Sequence, residues 1–386
     1  MALDTFDDVA SRLTKEEIDE VGTQNDLDQT YGYDGVGNRK WKQVTSNGST
    51  TRTEYTYNAN DLLLNEKVNG VVTASYTYDN NGSTLTKTEN GVTTTYTWDD
   101  EKRLIAATVS TGQQMQYRYN DQGIRVSSTV NGVETRYLLD EGMVANVWEE
   151  YSPTGQAQVV YVHGNDLVSQ TQQNQTTFYL VDGLGSTRLL TNDQGAILND
   201  YRYDAYGKTL DETGTVNNKY LFAGEQFDEG LGDYYLRQRY YDADSGRFTR
   251  RDTYEGRLDK PLTLHKYLYT HNNPINGIDP TGLFTLAELS ARDVIFGILA
   301  TIKVASITTG SYKPEKLGGF GEDAQPRSVL DGILAWRNTW TPESIGGFEG
   351  VKSNFPNHTG RSIGDINDFV RHVFSIHIDV AYDIAY

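Results

Sequence analysis

The chain has 386 residues, a formal net charge of −19 and no cysteine. It is long enough for two domains, it holds no disulfide or thiolate metal site, and its acidity argues against a general phosphate-binding scaffold, which needs Lys and Arg. The 27 Tyr and 37 Gly suit many short strands joined by tight turns.

Residues 1–28 open with MALDTFDDVASRLTKEEIDEVG. No basic stretch leads into an apolar one, so a cleaved export signal is not expected. The segment reads as an N-terminal leader, either one short amphipathic helix or an unstructured stretch. Synthesis in the cytoplasm follows as the expectation.

Residues 29–219 are repetitive. Aromatic-x-aromatic segments recur about every 21 residues: YGYDGVGN at 31, YTYNANDL at 55, YTYDNNGS at 76, YTWDDEKR at 96 and YRYNDQGI at 117. Between them fall Asn47-Gly48, Asn69-Gly70, Asn90-Gly91, Thr111-Gly112 and Asn131-Gly132. Asn-Gly between alternating strands signals a tight hairpin, since both turn residues take positive φ. Each unit therefore reads as two strands, one hairpin and two rings on the same face. A single unit cannot bury that face, so stacked hairpins should build one continuous sheet. The rings of Tyr55/Tyr57, Tyr76/Tyr78 and Tyr96/Trp98 are expected to line it, ring over ring.

Residues 220–283 end in NPINGIDPTGL, and the composition changes immediately afterwards. Taken alone, Asp279-Pro280-Thr281-Gly282 is a good turn: Asp accepts backbone N–H bonds, Pro sets φ and Gly takes positive φ. A second aspartate, Asp252, lies upstream in GRFTRRDTYEG.

These segments resemble the YD-repeat, or Rhs, proteins, whose relatives include the C components of insecticidal Tc toxins and the teneurins. The resemblance covers roughly residues 30–283. It rests on the YxYD units, on FYLVDGLGSTRLLTNDQGAILNDYRYDAYGKT from Phe178, and on YLFAGEQFDEGLGDYYLRQRYYDADSGRFTRRDTYEG from Tyr220. It implies a mainly β fold in which hairpins spiral into a shell around a variable C-terminal segment. It also implies an aspartyl-protease-like site made of Asp252 and Asp279, with Arg239 of the RYYD element beside them, cutting between Leu283 and Phe284. Family shells that close around a tail use more repeats than this chain carries, so a partial shell is expected. The partners implied are the chain's own tail held by the shell, a cognate immunity protein, and a delivery system or the rest of a shell. Secretion or delivery into target cells follows from the same likeness, as does a role in bacterial competition or against host cells. A teneurin-like binding module is the alternative.

Two carboxylates suit peptide hydrolysis, which needs a base to activate water and an acid for the leaving amine. A close pair sharing one proton supplies both and titrates as a unit. Arg239 could orient a carboxylate bidentately, or could be an ordinary ion pair on a strand.

Residues 284–386 read as a mostly α-helical effector with a slight acidic excess; no basic patch recommends a nucleic-acid partner. No cofactor is called for, and a metal is left open. In GRSIGDINDFVRHVFSIHIDVAYDIAY, Asp368 and His372 fall one helical turn apart with Arg371 beside them, a spacing that suits an oriented general base or a metal pair. His358 of NFPNHTG could complete such a site, while a solvated acidic helix face is the plainer reading. The apolar stretch from Phe284 to Ile307 offers a membrane-active alternative. Its VIFGILATIKVASI core is shorter than the ~20 residues of a spanning helix and contains Lys303.

Overall fold

The computed structural model describes residues 2–19, 27–140, 144–164 and 166–285. Among them, twenty strands from β1 (Ala2–Asp7) to β20 (Thr209–Gly214) form one antiparallel sheet in which chain neighbours pair in succession. The tight turns arise as the sequence requires. Asn47 and Gly48 take φ of 51° and 73°, Asn69 and Gly70 49° and 85°, Asn90 and Gly91 49° and 83°. Thr111-Gly112 departs from this pattern, with positive φ only at the glycine, because a β-branched residue resists the left-handed region.

The Asp or Asn that follows the second ring of each unit has a local task. Asp79 Oδ1 accepts the N–H groups of Asn81 and Ser83, both at 2.8 Å. Asp99 does the same for Glu101 and Arg103, and Asn120 for Gln122 and Ile124. A short side chain thus satisfies the donors of the loop that reverses the chain.

The two rings of a unit behave differently. The first is buried, as at Tyr31, Tyr55, Tyr76, Tyr96 and Tyr117. The second is half-buried and ties back to the preceding hairpin: Tyr57 Oη donates to Arg39 O, Tyr78 Oη to Leu63 O, Trp98 Nε1 to Thr84 O and Tyr119 Oη to Leu104 O, at 2.7–2.9 Å. A register shift falls at Tyr57, Tyr78 and Tyr119, and such a bulge re-aims a side chain. The rings share a face as expected, but they do not stack on one another. Successive units lie two strands apart, roughly 9–10 Å, which is beyond ring contact. Instead they meet rings from elsewhere in the chain, as Tyr117 meets Tyr240 at 5.7 Å and Tyr31 meets Tyr206 at 5.3 Å.

Residues 2–19 correct the expectation of a helical or unstructured leader. β1 and β2 (Leu13–Asp19) form a hairpin, and β2 pairs with β3 (Leu27–Tyr33). Leu13 and Glu16 are fully buried. Glu16 accepts the Tyr31 hydroxyl and, at 2.8 Å, the N–H of Ala205. The charged run that suggested an amphipathic helix or an unstructured leader thus contributes a buried carboxyl to a strand.

The Ala205 contact also shows how the strip curves. The turn after β19 (Ile197–Tyr203) meets the first strands again: Lys42 pairs with Asp204 at 2.9 Å, and the hydroxyls of Tyr33 and Tyr206 are 2.7 Å apart. Against the ring-bearing face sits a second sheet of β21 (Gln226–Asp228), β22 (Asp233–Leu236), β23 (Arg239–Asp242) and β24 (Arg247–Phe248). This plug is pinned by buried cations. Arg125 lies 4.1 Å from the Tyr235 ring centroid and pairs with Asp228 at 3.0 Å, while Lys87 pairs with Asp242 at 3.0 Å.

Candidate active site

β22 and β23 are joined by Arg237 and Gln238, and this hairpin grips the 279–283 turn. Gln238 N donates to Thr281 O at 3.2 Å. Gly282 has φ +71°, and a Cβ there would stand 2.3 Å from Leu236 O and 2.9 Å from Arg239 N. Only glycine lets the turn approach the strand pair this closely.

Arg239 projects from β23 into that contact and is buried against Phe248, its Cζ 3.5 Å from the ring centroid. Its Nη2 reaches Asp252 at 2.8 Å and Asp279 at 3.4 Å. Nε donates to Gly282 O, and Nη1 to Lys266 O at 3.3 Å. The two aspartates are therefore bridged by one guanidinium nitrogen, a finer arrangement than two carboxyls sharing a proton. Burial pushes both carboxyl pKa values above the usual range; Arg239 opposes the rise in each case. Burial also lowers the pKa of Arg239, against the pull of the two acids.

Asp279 turns its other oxygen toward the seam. Oδ1 accepts the N–H of Leu283 at 3.0 Å and that of Phe284 at 3.1 Å. Asp252 Oδ1 accepts Tyr254 N–H at 2.7 Å, and the Tyr254 ring meets Phe284 edge-on at 6.2 Å. Leu283 and Phe284 border an open cleft of about 480 Å³ whose far wall includes Ile124, Tyr137 and Leu139.

Two residues of the cluster were not legible beforehand. Arg237 Nη1 donates to Pro280 O at 2.8 Å and pairs with buried Glu225, and its Nε reaches Ala145 O at 3.2 Å. Burial, only partly offset by Arg237, raises Glu225 to a pKa of about 7. The available signal was the doubled arginine of LRQR. Among the described residues, no three His, Asp or Glu side chains come together to hold a metal. Asp368, His372, Arg371, His358 and the apolar stretch beyond Thr285 lie outside the described residues.

A family model described as the Teneurin YD-shell matches residues 5–141 and 143–275. The chain belongs to that family. Among curated proteins, the YD-shell chain is similar to the tRNA3(Ser)-specific nuclease WapA of Bacillus spizizenii, 35% identical over 259 residues, covering 65% of this chain and 11% of that one. It is similar to the tRNA nuclease WapA of Bacillus subtilis at 34% over 259 residues, with the same coverage. Among solved structures, TcdB2-TccC3 shares 18% identity with a TM-score of 0.41, covering 73% of this chain and 18% of that one. The YD-shell chain thus spans about a tenth of the length of its WapA relatives.

Proposed function

We propose that this chain is a toxin-type YD-repeat protein of the Rhs kind that cuts itself once, after Leu283, and releases residues 284–386 as an effector. One observation carries the reading. The Asp279 carboxyl holds the N–H of Phe284, the nitrogen of the bond to be cut, while sharing the Arg239 nitrogen with Asp252. In this mechanism water adds to the Leu283 carbonyl carbon, one carboxylate takes its proton, and the other carboxyl protonates the departing Phe284 nitrogen. The C–N bond breaks to leave a Leu283 carboxylate and a Phe284 amine. We assign Asp279 as the acid on proximity: its Oδ1 lies 3.1 Å from that nitrogen, accepts its N–H at rest, and in its protonated form would turn its proton to the nitrogen lone pair freed as the tetrahedral intermediate forms. Asp252 is the base, and Arg239 keeps both carboxyls in register. The cleft beside Leu283 admits the water.

The test is direct. Purified protein should run as two pieces on a denaturing gel, with the small piece beginning at Phe284. Asp279→Asn and Asp252→Asn should each leave one chain, and a wild-type chain that stays whole when folded would defeat the reading.

For the released segment, the proposed working pair is Asp368 and His372, with Arg371 and His358 near it. The proposed partners are an immunity protein and a delivery system. Residues 284–386 expressed in bacterial cytoplasm should kill, and His372→Ala and Asp368→Asn should abolish killing without loss of helical circular dichroism. Liposome leakage by the same segment, surviving His372→Ala, would favour the membrane-active reading instead. The binding-module reading draws on the outer sheet face, where Trp148, Val162 and Leu180 are about half exposed; it predicts no killing by the tail.

A further inference from the structure

Past the proposed cleavage point the chain runs inward. Leu283 and Phe284 are half-buried, whereas Thr285 is only 7% exposed. Thr285 lies against Gly277: a Cβ on that glycine would stand 2.7 Å from Thr285 Cγ2 and 3.5 Å from Thr270 Cβ. Gly277 does not have a left-handed φ, so space rather than conformation demands glycine there. The neighbouring wall is strained. Thr270, His271 and Asn272 take consecutive φ values of 43°, 56° and 64°, a conformation that is costly for a β-branched residue and persists only where surroundings impose it. Those surroundings are the first hairpins of the shell, where Asn272 Nδ2 donates to Gly37 O at 2.8 Å and Asn273 Nδ2 to Ser11 O at 2.7 Å. Thr270 is itself buried, and its Oγ1 has no hydrogen-bond partner among the described residues. Thr270 of this turn and Thr285 thus flank the same point beside Gly277.

We infer that Gly277 and the Thr270–Asn272 turn form a subsite that seats the second residue after the cut, and that this subsite admits only small side chains. Residue 285 is then a specificity determinant of self-cleavage. The inference rests on the self-cleavage reading above. Its physical basis is short range: residue 285 is one peptide from the Phe284 nitrogen, so lifting it from its seat draws that N–H away from Asp279. Any sequence joined after Leu283 is read through this position, while the half-buried residue 284 borders an open cleft.

The experiment follows the fraction cut against time in full-length chains made by cell-free synthesis, with the new N-terminus sequenced. The rate should fall in the order Thr285→Ser, Thr285→Leu, Thr285→Trp, the last slowed about tenfold or more by overpacking. Gly277→Ala should slow cutting because its methyl meets Thr285 Cγ2. Adding Thr285→Ala, which removes that Cγ2, should speed the Gly277→Ala chain again. Melting of each variant in an Asp279→Asn background separates loss of the fold from loss of the seat. Should Thr285→Trp unfold the chain, the paired exchange of Gly277→Ala with Thr285→Ala decides. Cutting of Thr285→Trp at the wild-type rate, or a Gly277→Ala defect that Thr285→Ala leaves untouched, would overturn the subsite. An uncut wild-type chain would instead overturn the self-cleavage reading beneath it.

Discussion

At the scale of residues, the cluster depends on what a guanidinium can do and an ammonium cannot. Arg239 serves Asp252, Asp279, Gly282 O and Lys266 O from one planar fork, a set that Lys cannot match. Arg239→Ala should leave two buried carboxyls without a counter-ion and destabilise the folded chain by about 3–5 kcal/mol, read from urea midpoints. Arg239→Lys should stay folded and cut more slowly. The pH dependence has a definite sign. Burial raises both aspartates, so the folded chain holds protons to higher pH than the unfolded chain does. Their stabilising contribution is present on the acid side and is lost as pH rises through the folded values. On the proposed mechanism one carboxyl must hold a proton while the other must not, so the cutting rate followed against pH should pass through a maximum and fall on both the acid and the alkaline side. Asp252, Asp279 and Arg239 were legible because they sit in recognisable short motifs. Glu225 and Arg237 were not, since their roles come from contacts with Pro280 and Ala145, far along the chain.

At the scale of elements, the hairpin and its turn explain most of what the sequence announced. Gly91 has φ 83° and no atom near where a Cβ would stand, so Gly91→Val meets only a conformational penalty. It should cost about 1–2 kcal/mol in thermal unfolding, more than a change at exposed Thr77. Asp79→Ala should cost about 1–3 kcal/mol by stranding the N–H of buried Ser83. Period and turn chemistry made these elements readable. The bulge at the second ring was hidden, because it depends on the register of a neighbouring strand. The first hairpin was hidden for a related reason: nothing local says that Glu16 is buried, since its partners Tyr31 and Ala205 come from elsewhere in the chain.

At the scale of the whole molecule, the curvature of the strip is held by side chains rather than by a strand ladder. Tyr206 illustrates the dependence. Its hydroxyl meets Tyr33, its ring meets Tyr31 at 5.3 Å and Arg39 at 4.9 Å, and its carbonyl accepts Tyr241 of the plug at 2.7 Å. Tyr206→Ala should cost about 3–5 kcal/mol and speed amide exchange in the first strands. The curvature was not readable in advance, for it joins residues nearly the whole shell apart.

The stitch from Arg237 to both Ala145 and Pro280 has a consequence in time. Ribosomes release the first strands long before the bond at 283 exists, and under the proposed self-cleavage that bond would meet Asp252 and Asp279 once the plug had docked on the strip. Scission would then act as a timestamp of maturation. A chain stalled halfway would keep its cargo tethered and silent, and the appearance of a new Phe284 amine would mark the moment when assembly was complete.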